Sequence, residues 1–355
     1  MAIEWLAGNR LRGTTAERPN LGLPSGSVGG WVELARTTLG SAGNAINVSS
    51  LPDKRYYMVL TNILQNGDYN FRVRMNGDSG SNYSYRESAN GASDTTSTST
   101  DLINFTAAAN TTDCFNVGYA ANLSSKEKLW QSWLANVRTA GAGTAPYRGE
   151  TVGKHAQTSN PISQFNIFNN YGSNKFASGS ECVVLGWDPA DTHTTNFWEE
   201  LASVDLTGGA SDNLSTGTFT AKKYLWVQVY LEDSGQINPK CQFNNDTGSN
   251  YAQRYSADGG ADGTNTSATY YTLVNGGSTT PVFYNAFIIN NSSNEKLVIG
   301  HNIGQNTAGA GTAPTRFEQV SKWANTSNQI TEIDINNLGT GDFGTKSIIK
   351  VWGSD

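Results

Sequence analysis

Apolar positions along this chain recur in short alternating runs, never in a sustained helical period. In the first half the runs are Trp31–Thr38, Ala45–Val48, Tyr56–Leu64, Tyr69–Met75, Leu102–Thr106, Cys114–Ala120, Leu129–Val137, Gln164–Phe168 and Cys182–Trp187. In the second they are Lys223–Glu232, Gln242–Asn244, Tyr270–Val274, Val282–Ile289, Lys296–Ile299, Ile330–Ile335 and Ser347–Trp352. Turn residues separate them, as in Asn66-Gly67-Asp68, Asn76-Gly77-Asp78 and Asn90-Gly91. Runs of four to nine residues bounded by Gly, Asn, Asp and Ser predict antiparallel strands in a sandwich or barrel. The one stretch with a helical look, Ser124–Val137, matches Ser292–Gln305, where Leu297-Val-Ile-Gly300 reads as strand. Strand is therefore expected in both. Ser93–Asp101, polar throughout, is expected to be an exposed loop.

The chain repeats itself. TAGAGTAP occurs at Thr139–Pro146 and again at Thr307–Pro314, 168 residues on. The same offset carries Asp78-Ser-Gly-Ser-Asn82-Tyr83 onto Asp246-Thr-Gly-Ser-Asn250-Tyr251, and Glu127-Lys-Leu129 onto Glu295-Lys-Leu297. It also carries Tyr56 onto Tyr224, Arg86 onto Arg254, and Arg148 and Glu150 onto Arg316 and Glu318. With small shifts, Trp31-Val-Glu-Leu-Ala35 answers Trp198-Glu-Glu-Leu-Ala202, and Trp187 answers Trp352. A duplicated unit of this size suits one domain, and some eight strands in it suit a jelly roll. The expected architecture is all-β: an extended N-terminal arm over 1–28, a jelly-roll-like antiparallel β-sandwich module over 29–188, a linker over 189–196, and a second such module over 197–355.

Composition narrows the function classes. The chain has 355 residues, 15% charged side chains, 38 Gly and a net charge of −6, which gives no electrostatic footprint for nucleic acid. No apolar run nears the roughly 20 residues that a membrane-spanning helix needs. The opening MAIEWLAGNR has no basic stretch followed by an apolar one, so no secretory signal is expected. Cys114, Cys182 and Cys241 occupy non-equivalent positions in the two repeats, so they read as small core residues or free thiols, with no disulfide framework.

Candidate chemistry is sparse. His155, His193 and His301 lack metal-ligand spacing and read as lone surface or rim histidines. No Gly-rich phosphate loop, nucleophile elbow or zinc signature is present. The doubled Asp-Ser/Thr-Gly-Ser-Asn-Tyr stretch has too few carboxylates for a tight calcium loop and reads as a turn between strands. TAGAGTAP, rich in small residues, reads as a place where backbones approach closely or as a flexible loop. No catalytic residue, cofactor or metal ligand is expected. Trp130, Trp133, Tyr147, Tyr171 and Trp323 differ between the repeats, which makes them candidates to stack on sugar rings. Asn9, Arg10 and Arg12 in the arm are candidate assembly contacts.

The arm WLAGNRLRGTTAERP followed by GSVGGW resembles the opening of phage and marine-virus virion structural proteins, tail-fibre-like and capsid-surface proteins among them. The pieces WVELARTTLG, SLPDKRYY and DSGSNYSYR also look like modules of such proteins. The resemblance implies a virion component released with the particle, which suits the expected lack of signal peptide and disulfides. Three readings follow. The first is a non-enzymatic structural protein of shell, decoration or appendage that assembles with itself and with other virion proteins. The second is an adhesin for host surface glycan. The third is a carbohydrate-active enzyme.

Overall fold

The computed structural model of the chain describes residues 30–67, 70–105, 112–173, 175–188 and 195–355. The arm with Asn9, Arg10 and Arg12, and residues 189–194 of the expected linker, lie outside these. Among the described residues every regular element is a strand, and every pairing is antiparallel.

The first half contributes β1 (Val32–Thr38), β2 (Ala45–Ser49), β3 (Tyr56–Ile63), β4 (Arg72–Met75), β5 (Tyr83–Ala89) and β6 (Thr95–Thr100). It continues with β7 (Ile103–Asn104), β8 (Cys114–Ala121), β9 (Lys128–Asn136), β10 (Tyr147–His155), β11 (Gln164–Phe168) and β12 (Glu181–Trp187). The second half contributes β13 (Glu199–Asp205), β14 (Asn213–Ser215), β15 (Tyr224–Leu231), β16 (Pro239–Phe243), β17 (Tyr251–Ala257) and β18 (Gly263–Ala268). It ends with β19 (Tyr271–Thr272), β20 (Val282–Ile289), β21 (Lys296–Gly304), β22 (Thr315–Trp323), β23 (Ile333–Asn337) and β24 (Ile348–Ser354).

These strands make four sheets. In the first half an eight-stranded sheet runs β1-β12-β3-β8-β9-β10-β5-β6 and a four-stranded sheet runs β2-β11-β4-β7. The second half has the orders β13-β24-β15-β20-β21-β22-β17-β18 and β14-β23-β16-β19. Each position in the second pair of orders is the first pair's strand advanced by twelve.

Alternation along the strands decides the packing. On β9, Lys128, Trp130, Ser132 and Leu134 take one face, and Leu129, Gln131, Trp133 and Ala135 take the other. The first set turns toward the small sheet, where Trp130 and Leu134 join a core with Phe71, Phe165 and Val184. The second half repeats this with Val298, Tyr251, Phe243 and Val351. A third apolar cluster lies between the two large sheets, with Leu60, Phe115 and Val117 of one against Tyr224, Phe287 and Trp352 of the other. The layers therefore run four strands, eight, eight, four.

Several expectations change here. Ser93–Asp101 holds the edge strand β6, not a loop: a Thr-rich run is β-branched, and an edge strand with one partner needs no apolar face. Strands β5, β10, β17, β18 and β22 fall in stretches that carry little apolar alternation. Ser124–Val137 holds strand β9 (Lys128–Asn136) and no helix, as its second copy implied. Trp187 is not the counterpart of Trp352. Trp187 pairs with Tyr56, whereas Trp352 pairs with Trp226, so Leu185, opposite Met58, takes the place of Trp352.

Candidate assembly interface

The contact between the large sheets joins unlike surfaces. Phe115, at one end of β8, sits 6.3 Å from Tyr224, which stands at the opposite end of the equivalent face. Near the middle, Trp133 meets His301 edge-on at 5.1 Å. At the margin Glu181 accepts from Thr38 Oγ1 at 2.5 Å, from Lys223 Nζ at 2.9 Å and from Tyr224 OH at 2.7 Å, which together hold its carboxyl below the usual range despite burial.

The turn between β9 and β10 carries the first TAGAGTAP, and it is seated in the second half. Lys322 Nζ, fully buried, donates to the carbonyls of Val137 (3.1 Å) and Thr139 (2.5 Å) and lies 3.5 Å from Glu295. Glu295 in turn accepts from the Gly141 amide. Ser267 N donates to Ala142 O at 2.8 Å, and Arg254 Nε donates to Pro146 O at 2.9 Å. Arg148 completes the seat, reaching Asp262 at 2.7 Å and Glu318 at 3.3 Å. Desolvation lowers the Lys322 ammonium, and Glu295 opposes that shift. Ala142, Ala145 and Pro146 are buried. Backbone meets backbone at Ala142 and Ser267, whereas a Cβ at Gly141 or Gly143 would meet nothing within 4 Å, so Gly141 is required by its φ of 84° and not by crowding.

Among the described residues, the corresponding face of the first half is open. It forms a trough of about 860 Å³. Trp187 stacks on Tyr56 at 5.3 Å and Trp31 meets Tyr119 edge-on at 6.2 Å to make its aromatic wall. Leu129, 58% exposed, and Val152, 52% exposed, lie on it, with Arg86, Gln131 and Lys154 as polar groups. Among the described residues the lining itself holds no Asp or Glu; Glu127 and Asp94 stand beside it, paired with Lys154 and Arg86.

The predicted sugar-stacking residues do not converge. Trp130 is 3% exposed and donates to Ser132 Oγ at 3.1 Å. Trp323 is 1% exposed inside the second core, with Nε1 donating to Asp246 at 2.7 Å. Trp133 is held at the interface by His301. Tyr147 packs against the first core. Tyr171 is exposed, in the turn after β11 and away from the trough. The residues that do form an aromatic surface are Tyr56, Trp187, Trp31 and Tyr119. Their signal was the equivalence of Tyr56 with Tyr224 and of Trp31 with Trp198, four positions on the outer faces of the large sheets.

The remaining candidates resolve simply. Asp78 accepts from Gly80 N (2.8 Å), Asn82 (2.8 Å) and His155 (2.8 Å), and Asp246 accepts from Gly248 N, Asn250 and Trp323, so both copies are side-chain-capped turns. His155 is buried against Tyr83 and His301 is wedged at the interface, so neither is the surface histidine expected. His193 lies outside the described residues. All three cysteines are buried and none is in a disulfide.

No protein-family model matches the sequence, and no curated protein matches it. Among solved structures it is similar to Ail, the attachment invasion locus protein of Yersinia pestis, with 6% identity and a TM-score of 0.14 over 77% of this chain and 98% of that one. It is also similar to the outer membrane protease OmpT from Escherichia coli (9%, TM-score 0.15, 82% and 99%). A third is the translocator domain of autotransporter NalP from Neisseria meningitidis (11%, TM-score 0.13, 75% and 87%). Likeness this slight carries no argument.

Proposed function

We propose that the chain is a virion structural protein, a subunit of shell, decoration or appendage that acts by assembling with itself, and that its halves are jelly-roll-like modules descended from one duplicated unit. From β1 to β5, from β6 to β8 and from β10 to β12 the chain passes back and forth between the large and small sheets, as jelly-roll winding does, while β8, β9 and β10 stay in the large one, and both halves share one strand order. The observation that carries the functional reading is the seated loop: one unit builds onto the next through a self-made loop and socket, with its buried charges consumed in holding the two together. Images of the purified protein at rising concentration test this, with regular assemblies expected. Removal of residues 1–28 is expected to leave folded protein that no longer enters particles; unchanged incorporation counts against the arm. A protein that stays monomeric at every concentration and is missing from particles sinks the reading.

The trough favours a second reading, a host-glycan adhesin. Tyr56, Trp187, Arg86 and Lys154 together offer ring faces and hydroxyl donors. It requires glycan-array signals that vanish in Tyr56→Ala and Trp187→Ala; an array without hits removes it.

A further inference from the structure

We propose that a second copy of this chain seats its second TAGAGTAP loop, residues 307–314, in the trough of the first half, so that copies join head to tail. This deepens the self-assembly reading, on which it rests for its occupant.

Among the described residues, loop and socket are both present twice and joined once. The socket for the first loop consists of Lys322, Glu295, Arg254, Asp262 and Ser267. The positions 168 residues earlier are Lys154, Glu127, Arg86, Asp94 and Ser99, the same five residue types. They are already arranged as a socket: Lys154 pairs with Glu127 at 3.0 Å and Arg86 with Asp94 at 3.3 Å, both pairs exposed. Ser99 has φ of 53° and Ser267 has φ of 48°, so the bulge that presents the Ser267 amide to Ala142 is preserved. Arg86 and Lys154 line the open trough.

The second loop is exposed at every residue from Thr307 to Pro314, yet it holds the conformation of the seated one. Arg138 and Asn306, which precede the two loops, have φ of 66° and 65°; Gly141 and Gly309 have 84° and 88°. A loop already in its bound shape pays little ordering entropy on docking. The apolar neighbours agree. Phe115, which covers Tyr224, corresponds to Phe283, and Tyr224 corresponds to Tyr56; Phe283 and Tyr56 are both exposed. Ile303, 55% exposed, extends the surface around Phe283, and Leu129 extends the one around Tyr56.

Within one chain the free loop and free socket do not meet, because the buried contacts of Lys322 and Arg148 fix the two halves. A second copy supplies the missing partner. The contact pairs unlike surfaces, so repetition gives a ring or a filament. It is also the more polar contact: Gln228, Asn285, Gln305 and Lys350 stand where Leu60, Val117, Val137 and Val183 stand in the seated surface. Reversible association is the consequence.

The test uses two surface variants of the full chain, Leu129→Arg in the trough and Ile303→Arg beside the second loop, followed by sedimentation. The wild type is expected to grow with concentration, and each variant alone to stay monomeric, with association weakened at least tenfold. Their mixture is expected to stop at one-to-one dimers, since each retains one complementary surface. Ala310→Cys in one copy and Ser99→Cys in another should form a mixed disulfide, because Ala142 and Ser267 touch within the chain. Dimers from one variant alone overturn the proposal in favour of a like-with-like contact. Wild-type assembly by the double variant, or assembly indifferent to Leu129→Arg but lost on removal of residues 1–28, overturns it while leaving self-assembly intact. A wild type that never associates overturns both.

Discussion

Two loops of identical sequence, 139–146 and 307–314, differ in almost nothing but company. Both join the second and third strands of a β-meander and turn at a glycine with positive φ. The first has Ala142, Ala145 and Pro146 buried against Lys322, Arg254 and Ser267; the second stands wholly in solvent. Since the backbone angles agree, the turn's shape is local and its burial is not. The docked copy shows what the surface is for, and the free copy shows that the surface exists before it is used.

The same contrast runs through the side chains around the loops, and substitution can sharpen it. The largest effect is expected at Phe115, buried between the halves. Phe115→Ala leaves a cavity against Tyr224 and should cost about 3–4 kcal/mol in urea unfolding. Phe283→Ala, at the equivalent but open position, should cost under about 1 kcal/mol in the monomer. Equal losses would mean that the open face is covered in solution and the comparison is mistaken.

Next comes the buried cation. Lys322→Met strips Glu295 and two carbonyls of their partner inside the interface, and removal of one member of a buried pair costs roughly 3 kcal/mol. Lys154→Met breaks an ion pair with nearly half of each side chain exposed and should cost no more than about 1 kcal/mol. Denaturation of dilute samples, below any association, reads the difference. If Lys154→Met is the costlier change, the first-half socket is not empty.

Much of this was visible along the chain, though not as an interface. Repeated Glu127-Lys-Leu129, Arg86, Arg148 and Glu150 are the socket and its neighbours, so the offset of 168 had already marked the residues that matter. What it could not mark was use: a repeat says two copies share a surface, and only packing says which copy is covered. Period two places Trp130 and Trp133 on opposite faces of β9; the small sheet covers Trp130, and the other half meets Trp133, while Leu129 and Gln131 on the same face as Trp133 stay in the open trough. Trp323 differs between repeats for a local reason. It replaces His155 as the donor to an aspartate turn, so its variation has no bearing on a ligand. The Thr-rich β6 escaped because an edge strand lacking an apolar face leaves no alternation to read.

The smallest effect concerns pH and separates the two sides of the interface. His301 lies where the first half has Trp133, and the two residues touch. Burial, then the positive Arg148 and Arg316, push its imidazole down to about 4. An unfolded histidine titrates near 6.5. Between those values the unfolded chain takes up a proton that the folded chain refuses, so stability falls as pH drops from about 6.5 to 4. Carboxylates begin to titrate at the lower end, so the informative quantity is the wild type relative to His301→Gln. Their melting temperatures should run parallel from pH 7 to 8. Below pH 6 the wild type should lose about 2–4 °C more than the variant. Because the imidazole faces the other half, the excess loss belongs to the contact between halves, and Trp133, with nothing to titrate, cannot share it. Identical slopes would mean that His301 is solvated, and that the seated side of the molecule is looser than its buried charges imply.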